Sequence, residues 1–125
     1  MRLSGRLVDL GRLLLVLPRV EWERRFRGPT SFIPNLRRRA RYSPERSHAE
    51  REVLRRMIAA LDARLPGGGN CYRRALLEMS LDAGAARERL HLGLRAHGGP
   101  GSGHAWLASW PDAADASSYD AVLET

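Results

Sequence analysis

Residues 67–77 read Gly-Gly-Gly-Asn-Cys-Tyr-Arg-Arg-Ala-Leu-Leu, and this stretch predicts a turn that leads into a helix. The three glycines allow a tight turn, and Asn70 suits the N-cap position of a helix that follows. Apolar residues then recur at helical spacing as far as Gly84, which is expected to end the helix. These residues are Tyr72, Ala75, Leu76, Met79 and Ala83. The pattern predicts that Cys71 opens a helix.

Cys71 is the only cysteine of the 125-residue chain, and it lies at the predicted start of this helix. The free amides and the positive end of a helix dipole favour a thiolate, which is the nucleophilic form of cysteine. The Cys71 N–H would also face the oxygen of an attacked carbonyl group, as one donor of an oxyanion hole. Asn70 is the candidate for the second donor. We therefore predict that Cys71 is a catalytic nucleophile.

Downstream of this helix the apolar pattern changes to a period of two. Residues 90–96 alternate leucine or alanine with other residues, which predicts a half-buried strand. A glycine-rich loop over 97–103 leads into a second strand over 104–110, and the two strands should pair antiparallel. Residues 111–118 are expected to form a loop, and 119–125 a third strand.

His104 is the candidate partner of the thiol, because it opens the second strand on a face with two tryptophans. It would act as general base towards Cys71 and then as general acid towards the leaving amine. A carboxylate on the adjacent strand should orient the imidazole. Asp120 fits this role best, while Asp112 and Asp115 lie in the predicted loop and could fold back.

The upstream half predicts two helices and an irregular segment between them. Leucines over 8–17 predict a short helix that Pro18 ends. Prolines, a glycine and three consecutive arginines interrupt the pattern over 21–42, which predicts an irregular segment with at most one helical turn. The second helix is predicted to begin with Ser43 as its N-cap and to end at Pro66.

The positive charge is concentrated in the first half of the chain. Residues 1–65 contain 16 arginines and seven acids, a net charge of +9, whereas residues 66–125 contain five arginines and seven acids, a net charge of −2. A basic half suits acidic peptides, proteins, lipids or nucleic acid. We expect no nucleic-acid partner, because no motif of that kind is present. All 21 basic residues are arginine, which also fits a compositional bias of the genome.

Length and composition predict one domain over 1–125, with a basic helical part over 1–65 and a catalytic core over 66–125. One cysteine cannot form an internal disulfide, which fits a reducing compartment. No apolar run approaches the roughly twenty residues of a membrane span, and no signal peptide is recognisable. We therefore expect a cytoplasmic protein.

Two other interpretations compete with catalysis. Cys71, His91, His97 and His104 could be imagined as zinc ligands, but their spacing matches no common structural site, so we predict neither metal nor cofactor. A lone cysteine is often only a small core residue, which leaves open a non-enzymatic, arginine-rich adaptor. The order of a glycine-rich turn, a cysteine and a later Gly-His-Ala-Trp strand favours the enzyme.

Three stretches resemble the B proteins of lasso-peptide biosynthesis, whose transglutaminase-like, papain-related domain is a leader peptidase. They are Asn-Cys-Tyr-Arg-Arg-Ala-Leu-Leu over 70–77, Leu-His-Leu-Gly-Leu-Arg over 90–95 and Gly-His-Ala-Trp-Leu over 103–107. The positions that match the family pattern are Cys71, Arg74, Ala75, Leu76, Gly93, His104, Ala105 and Trp106. The resemblance covers residues 66–125, and the first part of the chain matches only in its layout of short helices.

The resemblance implies an α+β papain-like fold in which N-terminal helices pack on the Cys71 helix and a small antiparallel sheet. It implies a Cys-His-Asp peptidase that cuts the leader from a ribosomally made precursor peptide. Its partners would be that precursor, a separate leader-recognition protein, because no recognition domain fits within 125 residues, and an ATP-using cyclase that forms a macrolactam. Residues 1–65 are the candidate surface for the recognition protein or the leader. Acyl transfer to an amine on the same fold is the alternative.

Overall fold

The computed structural model describes residues 3–28, 30–94, 103–110 and 121–125. The helices are α1 (Leu3–Phe26), α2 (Ile33–Ala40), α3 (His48–Arg64), α4 (Cys71–Leu81) and α5 (Ala83–Ala86). The strands are β1 (Leu90–Leu94), β2 (His104–Leu107) and β3 (Ala121–Glu124). Helices are followed by a small sheet, which confirms the α+β prediction.

Helix α4 lies at the centre of the core. The other four helices and β2 all pack against it. Leu76 and Leu77 are completely buried, and so are Leu13 of α1 and Leu54 of α3 in the same core cluster. Burying a leucine side chain contributes about 2 kcal/mol. The N-terminal helices thus pack around the helix that begins at Cys71, as the sequence predicts.

The sheet has the strand order β2-β1-β3, and both pairings are antiparallel. The predicted pairing of the first two strands is confirmed. The third strand, however, pairs with the far edge of β1, where Leu90 and Thr125 exchange backbone hydrogen bonds of 2.8 and 2.9 Å. The prediction that β3 lies next to the histidine strand is therefore wrong. Gly93 of β1 lies opposite His104 on one side and Val122 on the other.

Helix α1 is much longer than the predicted range of 8–17, because it continues through Pro18. Pro18 lies on the exposed face, where water can hydrate the carbonyl group that loses its N–H partner. Leu13 and Val20 on either side of it are buried in the core. This packing outweighs the local cost of proline, so the prediction that Pro18 ends the helix is wrong. Within the described ranges, no helix is long and apolar enough to cross a bilayer.

Residues 21–42 are mostly helical, although the sequence predicts an irregular segment. The first part belongs to α1, and α2 covers most of the rest, with Pro34 in its first turn where proline is well tolerated. Ile33, Leu36 and Ala40 are buried on one side of α2. The three arginines that interrupt the apolar pattern lie between these buried positions in a short amphipathic helix.

Helix α3 begins four residues later than predicted. Ser47 rather than Ser43 is the N-cap, and its Oγ accepts the Glu50 N–H at 3.2 Å while Glu50 Oε1 accepts the Ser47 N–H at 3.0 Å. This arrangement is a capping box. The hydrogen bond from the Ser47 backbone lowers the pKa of the Glu50 carboxyl. The Ser43 hydroxyl instead donates to the carbonyl of Ser80 at 3.0 Å and joins the loop to α4.

Helix α4 and strand β2 are shorter than the predicted elements. Helix α4 ends at Leu81 rather than at Gly84, because Asp82 caps the short helix α5 by accepting the Gly84 N–H at 2.9 Å. Strand β2 ends at Leu107, and its last three residues are all buried. The alternation predicted over 104–110 is therefore not observed.

Arg51 joins α3 to α4 and to the segment before β1. Its guanidinium pairs with the carboxylates of Glu78 and Glu88. Burial alone would lower the pKa of Arg51, but the hydrogen bonds to these two carboxylates outweigh burial and raise it. Burial acts to raise the pKa of Glu88, and hydrogen bonds from Ser109 and Arg51 lower it overall. The network anchors the turn that leads out of β2.

We predict that Ser47→Ala destabilises the fold by about 1 kcal/mol through loss of the N-cap. The lowered pKa of Glu50 means that its stabilisation is present at neutral pH and is lost as the pH falls below the ordinary glutamate pKa of about 4.3. Ser47→Ala keeps the Ser47 N–H and removes only the smaller contribution of the Ser47 side chain to that pKa, so the difference between the variant and the parent should shrink in acid by this contribution alone. Urea unfolding at pH 7 and pH 3 measures both effects. Ser47→Asp, which keeps a capping oxygen, is the control, and equal stability of Ser47→Ala and the parent would contradict the assignment.

Candidate active site

A cleft of about 500 Å³ lies where the N-terminus of α4 meets the start of β2. Its walls come from the turn and helix start within 67–72, from residues 92–93 of β1 and from residues 103–105. Cys71 and His104 are both half-buried, and both line this cleft. The structure thus brings the predicted nucleophile and the predicted base to one concave site.

A hydrogen bond joins β2 directly to the Cys71 sulfur. The Ala105 N–H donates to Cys71 Sγ with a nitrogen-to-sulfur distance of 3.2 Å. His104 immediately precedes Ala105, so this contact holds the start of the histidine strand beside the thiol. A backbone N–H aimed at sulfur can also stabilise negative charge that develops there.

Stacking with Trp106 restricts the His104 ring. The two ring centroids are 5.5 Å apart with an interplanar angle of 21°. Trp106 is almost completely buried, and the His91 ring also stacks on it at 5.3 Å. His91 Nδ1 lies 3.5 Å from Glu124 Oε1. An apolar wall therefore supports the imidazole at the cleft, while His91 lies on the face of the sheet between Trp106 and Glu124.

Asp62 of α3 holds the turn that precedes Cys71. Gly67 and Gly69 have φ angles of +72° and +81°, which favour glycine over any other residue. Asp62 Oδ2 accepts the N–H groups of Gly69 and Asn70 at 2.9 and 3.1 Å. The buried carboxylate thereby fixes the backbone immediately before Cys71.

Arg73 completes this arrangement from the other side. Its Nε donates to Asp62 Oδ1 at 2.7 Å, and its Nη1 donates to the Pro66 carbonyl at 3.2 Å. Both side chains of the Asp62–Arg73 pair are only 2 % exposed. A buried ion pair is tolerated when further hydrogen bonds satisfy both partners, and this pair meets that condition.

Asn70 has one hydrogen-bond donor left for its predicted role in the oxyanion hole. Its Oδ1 accepts the Arg73 N–H at 2.9 Å, so the prediction that Asn70 is the N-cap is confirmed. Its backbone N–H already donates to Asp62. The side-chain amide nitrogen is left as its donor for an oxyanion. The Cys71 N–H, at the first position of α4, has no acceptor within the helix.

Tyr72 forms another part of the cleft wall. Burial raises the pKa of its phenol to about 12, and the nearby positive charge of Arg24 opposes this effect. The Tyr72 hydroxyl is therefore protonated throughout the neutral range and remains a hydrogen-bond donor.

Three aspartates are the predicted candidates for the triad acid. Asp112, Asp115 and Asp120 all lie outside the described residues, as does His97. The argument for Asp120 takes the third strand to lie beside the histidine strand. The strand order removes that argument, because β1 rather than β3 is the strand beside β2. The orienting acid of His104 therefore stays a prediction.

Within the described ranges, no group of three or more His, Cys, Asp or Glu side chains could hold a metal ion. Among the four zinc candidates, Cys71 and His104 line the cleft, whereas His91 stacks on Trp106. His48, the one histidine of the chain outside this set of candidates, is exposed at the first position of α3.

Sequence reasoning missed the positioning pair Asp62 and Arg73. A signal was present, because Asp62 continues the row of Leu54 and Ile58, which recur every four residues on the buried face of α3. A carboxylate on an apolar row must find a partner or pay a high desolvation cost. An arginine two residues after the predicted nucleophile was an available candidate for that partner.

The comparison with protein families agrees with this geometry. Residues 14–119 match the family model described as the transglutaminase-like superfamily. The match covers most of the chain, so the chain belongs to the transglutaminase-like superfamily. Members are typically enzymes of the cysteine protease or acyl transferase type. No curated protein matches the chain, and no solved structure matches it either.

We predict that Asp62→Ala destabilises the fold by about 3 kcal/mol, since it leaves the buried Arg73 charge and two N–H groups without their acceptor. Denaturant unfolding measures the loss. Glu52→Ala on the same helix removes a carboxylate from a partly exposed ion pair and should cost less than about 0.5 kcal/mol. Equal effects of the two changes would contradict the assigned role of Asp62.

Alkaline pH should test the burial of Tyr72. Its pKa is about 12 in the folded protein and near 10 in the unfolded chain, so unfolding is favoured progressively between pH 10 and pH 12. The free energy of unfolding should fall over this window by roughly 2 kcal/mol at most. Tyr72→Phe should flatten that dependence, as measured by urea unfolding across the window, and an unchanged dependence in this variant would contradict the burial of Tyr72.

Proposed function

We propose that the chain is a cysteine peptidase that removes the leader from a ribosomally synthesised precursor peptide, as in lasso-peptide maturation. Superfamily membership supports thiol chemistry, and the stretches over 70–77, 90–95 and 103–107 support the peptidase assignment. The observation that carries the proposal is the 3.2 Å hydrogen bond from Ala105 to the Cys71 sulfur. It brings the strand of the candidate base to the candidate nucleophile.

In the first step Cys71 attacks the carbonyl carbon of the scissile peptide bond. His104 takes the thiol proton, and the new carbon–sulfur bond forms as the carbonyl oxygen becomes negative. The Cys71 N–H and the Asn70 amide would stabilise that oxygen. His104 then gives its proton to the nitrogen as the carbon–nitrogen bond breaks, which releases the core peptide with a free amine.

In the second step water replaces the thiol. His104 removes a proton from water, whose oxygen attacks the thioester carbon, and the carbon–sulfur bond breaks with the sulfur leaving. The leader is released as a carboxylic acid, and Cys71 is regenerated. We propose Asp120 as the acid that orients His104, with Asp112 and Asp115 as the alternatives.

The free amine released in the first step defines the expected partners. An ATP-using cyclase would close that amine into a macrolactam ring, and a separate recognition protein would present the leader. We propose that the reaction takes place in the cytoplasm, where the precursor is made and a free thiol persists. Residues 1–65 remain our candidate surface for the recognition protein or the leader.

We predict that Cys71→Ala abolishes precursor cleavage and leaves the fold intact. The assay combines the chain with precursor and recognition protein, follows leader release by mass spectrometry, and checks folding by circular dichroism. His104→Ala should lower the cleavage rate by about 10² to 10⁴-fold. His48→Ala, which changes an exposed histidine on α3, is the matched control and should cleave normally. Cleavage by Cys71→Ala would refute the peptidase assignment.

The mass of the leader product separates hydrolysis from acyl transfer. Hydrolysis gives a leader acid, whereas transfer to an added amine gives a leader amide. Asp112→Asn, Asp115→Asn and Asp120→Asn identify the orienting acid in the same assay. We expect the largest loss of cleavage for Asp120→Asn, and a larger loss at either of the others would reassign that role.

A further inference from the structure

Three neighbouring depressions form a groove between α1 and α2. Their volumes are about 310, 410 and 260 Å³. Arg39 lines all three. Arg19 lines the first and second and Val16 lines the first and third, so the depressions adjoin one another. The groove also reaches Ser80 at the C-terminal end of α4. It is separate from the cleft at Cys71, because nine residues of α4 span about 14 Å.

The floor of the 310 Å³ depression is apolar. Val20, Leu36 and Ala40 form it and are at most 2 % exposed. Leu15 at the edge of the groove is 80 % exposed, and so is Tyr42 at its other end. Leu15 and Tyr42 therefore leave side-chain surface open to a partner at both ends of the groove.

The rim of the groove is basic. Arg12, Arg19, Arg38, Arg39 and Arg41 line its three parts. Arg19 and Arg39 share the carboxylate of Glu23. In the part of the chain that the structure describes, no carboxylate pairs with the other three. The groove therefore presents uncompensated positive charge beside an apolar floor.

We propose that this groove binds an acidic, apolar segment of a partner polypeptide. Carboxylates of the segment would pair with the arginines of the rim, and its large apolar side chains would contact the floor, as when an amphipathic helix enters a groove. The apolar floor fits a polypeptide better than a phosphate, which would leave it uncovered. A single-stranded nucleic acid would need a series of stacking aromatic residues, and among the residues that the structure describes Tyr42 is the one aromatic residue lining these depressions. This inference does not depend on the peptidase assignment.

The test uses the full chain and a fluorescein-labelled synthetic helical peptide with glutamate on one face and leucine on the other. Fluorescence anisotropy should show binding that weakens as NaCl is added. Peptides with lysine in place of glutamate, or with alanine in place of leucine, should not bind. A Cys71→Ala chain should bind as the parent does, which separates this proposal from the catalytic one.

Two groove variants and one matched control locate the binding. The double variant Arg12→Gln and Arg38→Gln should weaken binding by about tenfold through lost charge pairing. Leu15→Gln should weaken it several-fold without any change of charge. The double variant Arg56→Gln and Arg64→Gln removes two exposed arginines from α3, away from the groove, and should leave binding unchanged.

Several results would overturn the proposal. These are absence of peptide binding, equal weakening in the α3 control, or tighter binding of a single-stranded oligonucleotide or of phosphatidylglycerol vesicles than of the peptide. Self-association in analytical ultracentrifugation that Leu15→Gln abolishes would likewise assign the groove to a second copy of the chain instead.

Discussion

The candidate site depends on the carboxylate of Asp62, which binds the turn and the helix start at the same time. One oxygen accepts hydrogen bonds from two N–H groups of the turn, and the other accepts a hydrogen bond from the Nε–H of Arg73. Asp62 belongs to α3, whereas its partners belong to the chain that enters α4. A single buried carboxylate therefore sets the first residue of α4 relative to α3, and that residue is Cys71. The hydrogen bond from Ala105 then positions β2 against the same sulfur.

Arginine has two structural roles in this chain, and the net charge does not distinguish them. Arg46 and Arg73 are buried and pair with Asp9 and Asp62, so that their charge is compensated within the fold. Arg37 donates to three backbone carbonyls that lie at the ends of α5 and the sheet, and burial lowers the pKa of its guanidinium. A second group of arginines surrounds the groove between α1 and α2. Some arginines of the first half thus stabilise the interior of the fold, whereas others give the surface between α1 and α2 its positive charge.

The sequence predicts structure well where the signals are local and poorly where they are not. Asn70 and the apolar spacing after it are local, and the start of α4 is correctly predicted from them. Pro18 is a strong local signal as well, but packing of Leu13 and Val20 overrides it. The position of β3 beyond β1 depends on pairing between distant residues, and no nearby residue specifies it. Asp62 was missed because a charge on a buried helix face can be understood only with its partner in place.

Two contacts position Cys71, one between Asp62 and Arg73 and one between Ala105 and the Cys71 sulfur, and they join residues at different separations along the chain. Asp62 and Arg73 are 11 residues apart, whereas the sulfur and the Ala105 amide are 34 residues apart. Closing a longer loop costs more entropy and is slower, so the turn and α4 can form before the sheet. A partly folded chain would then carry an assembled α4 before the Ala105 N–H reaches the Cys71 sulfur. The cleft would gain the walls that β1 and β2 supply only at the last stage of assembly.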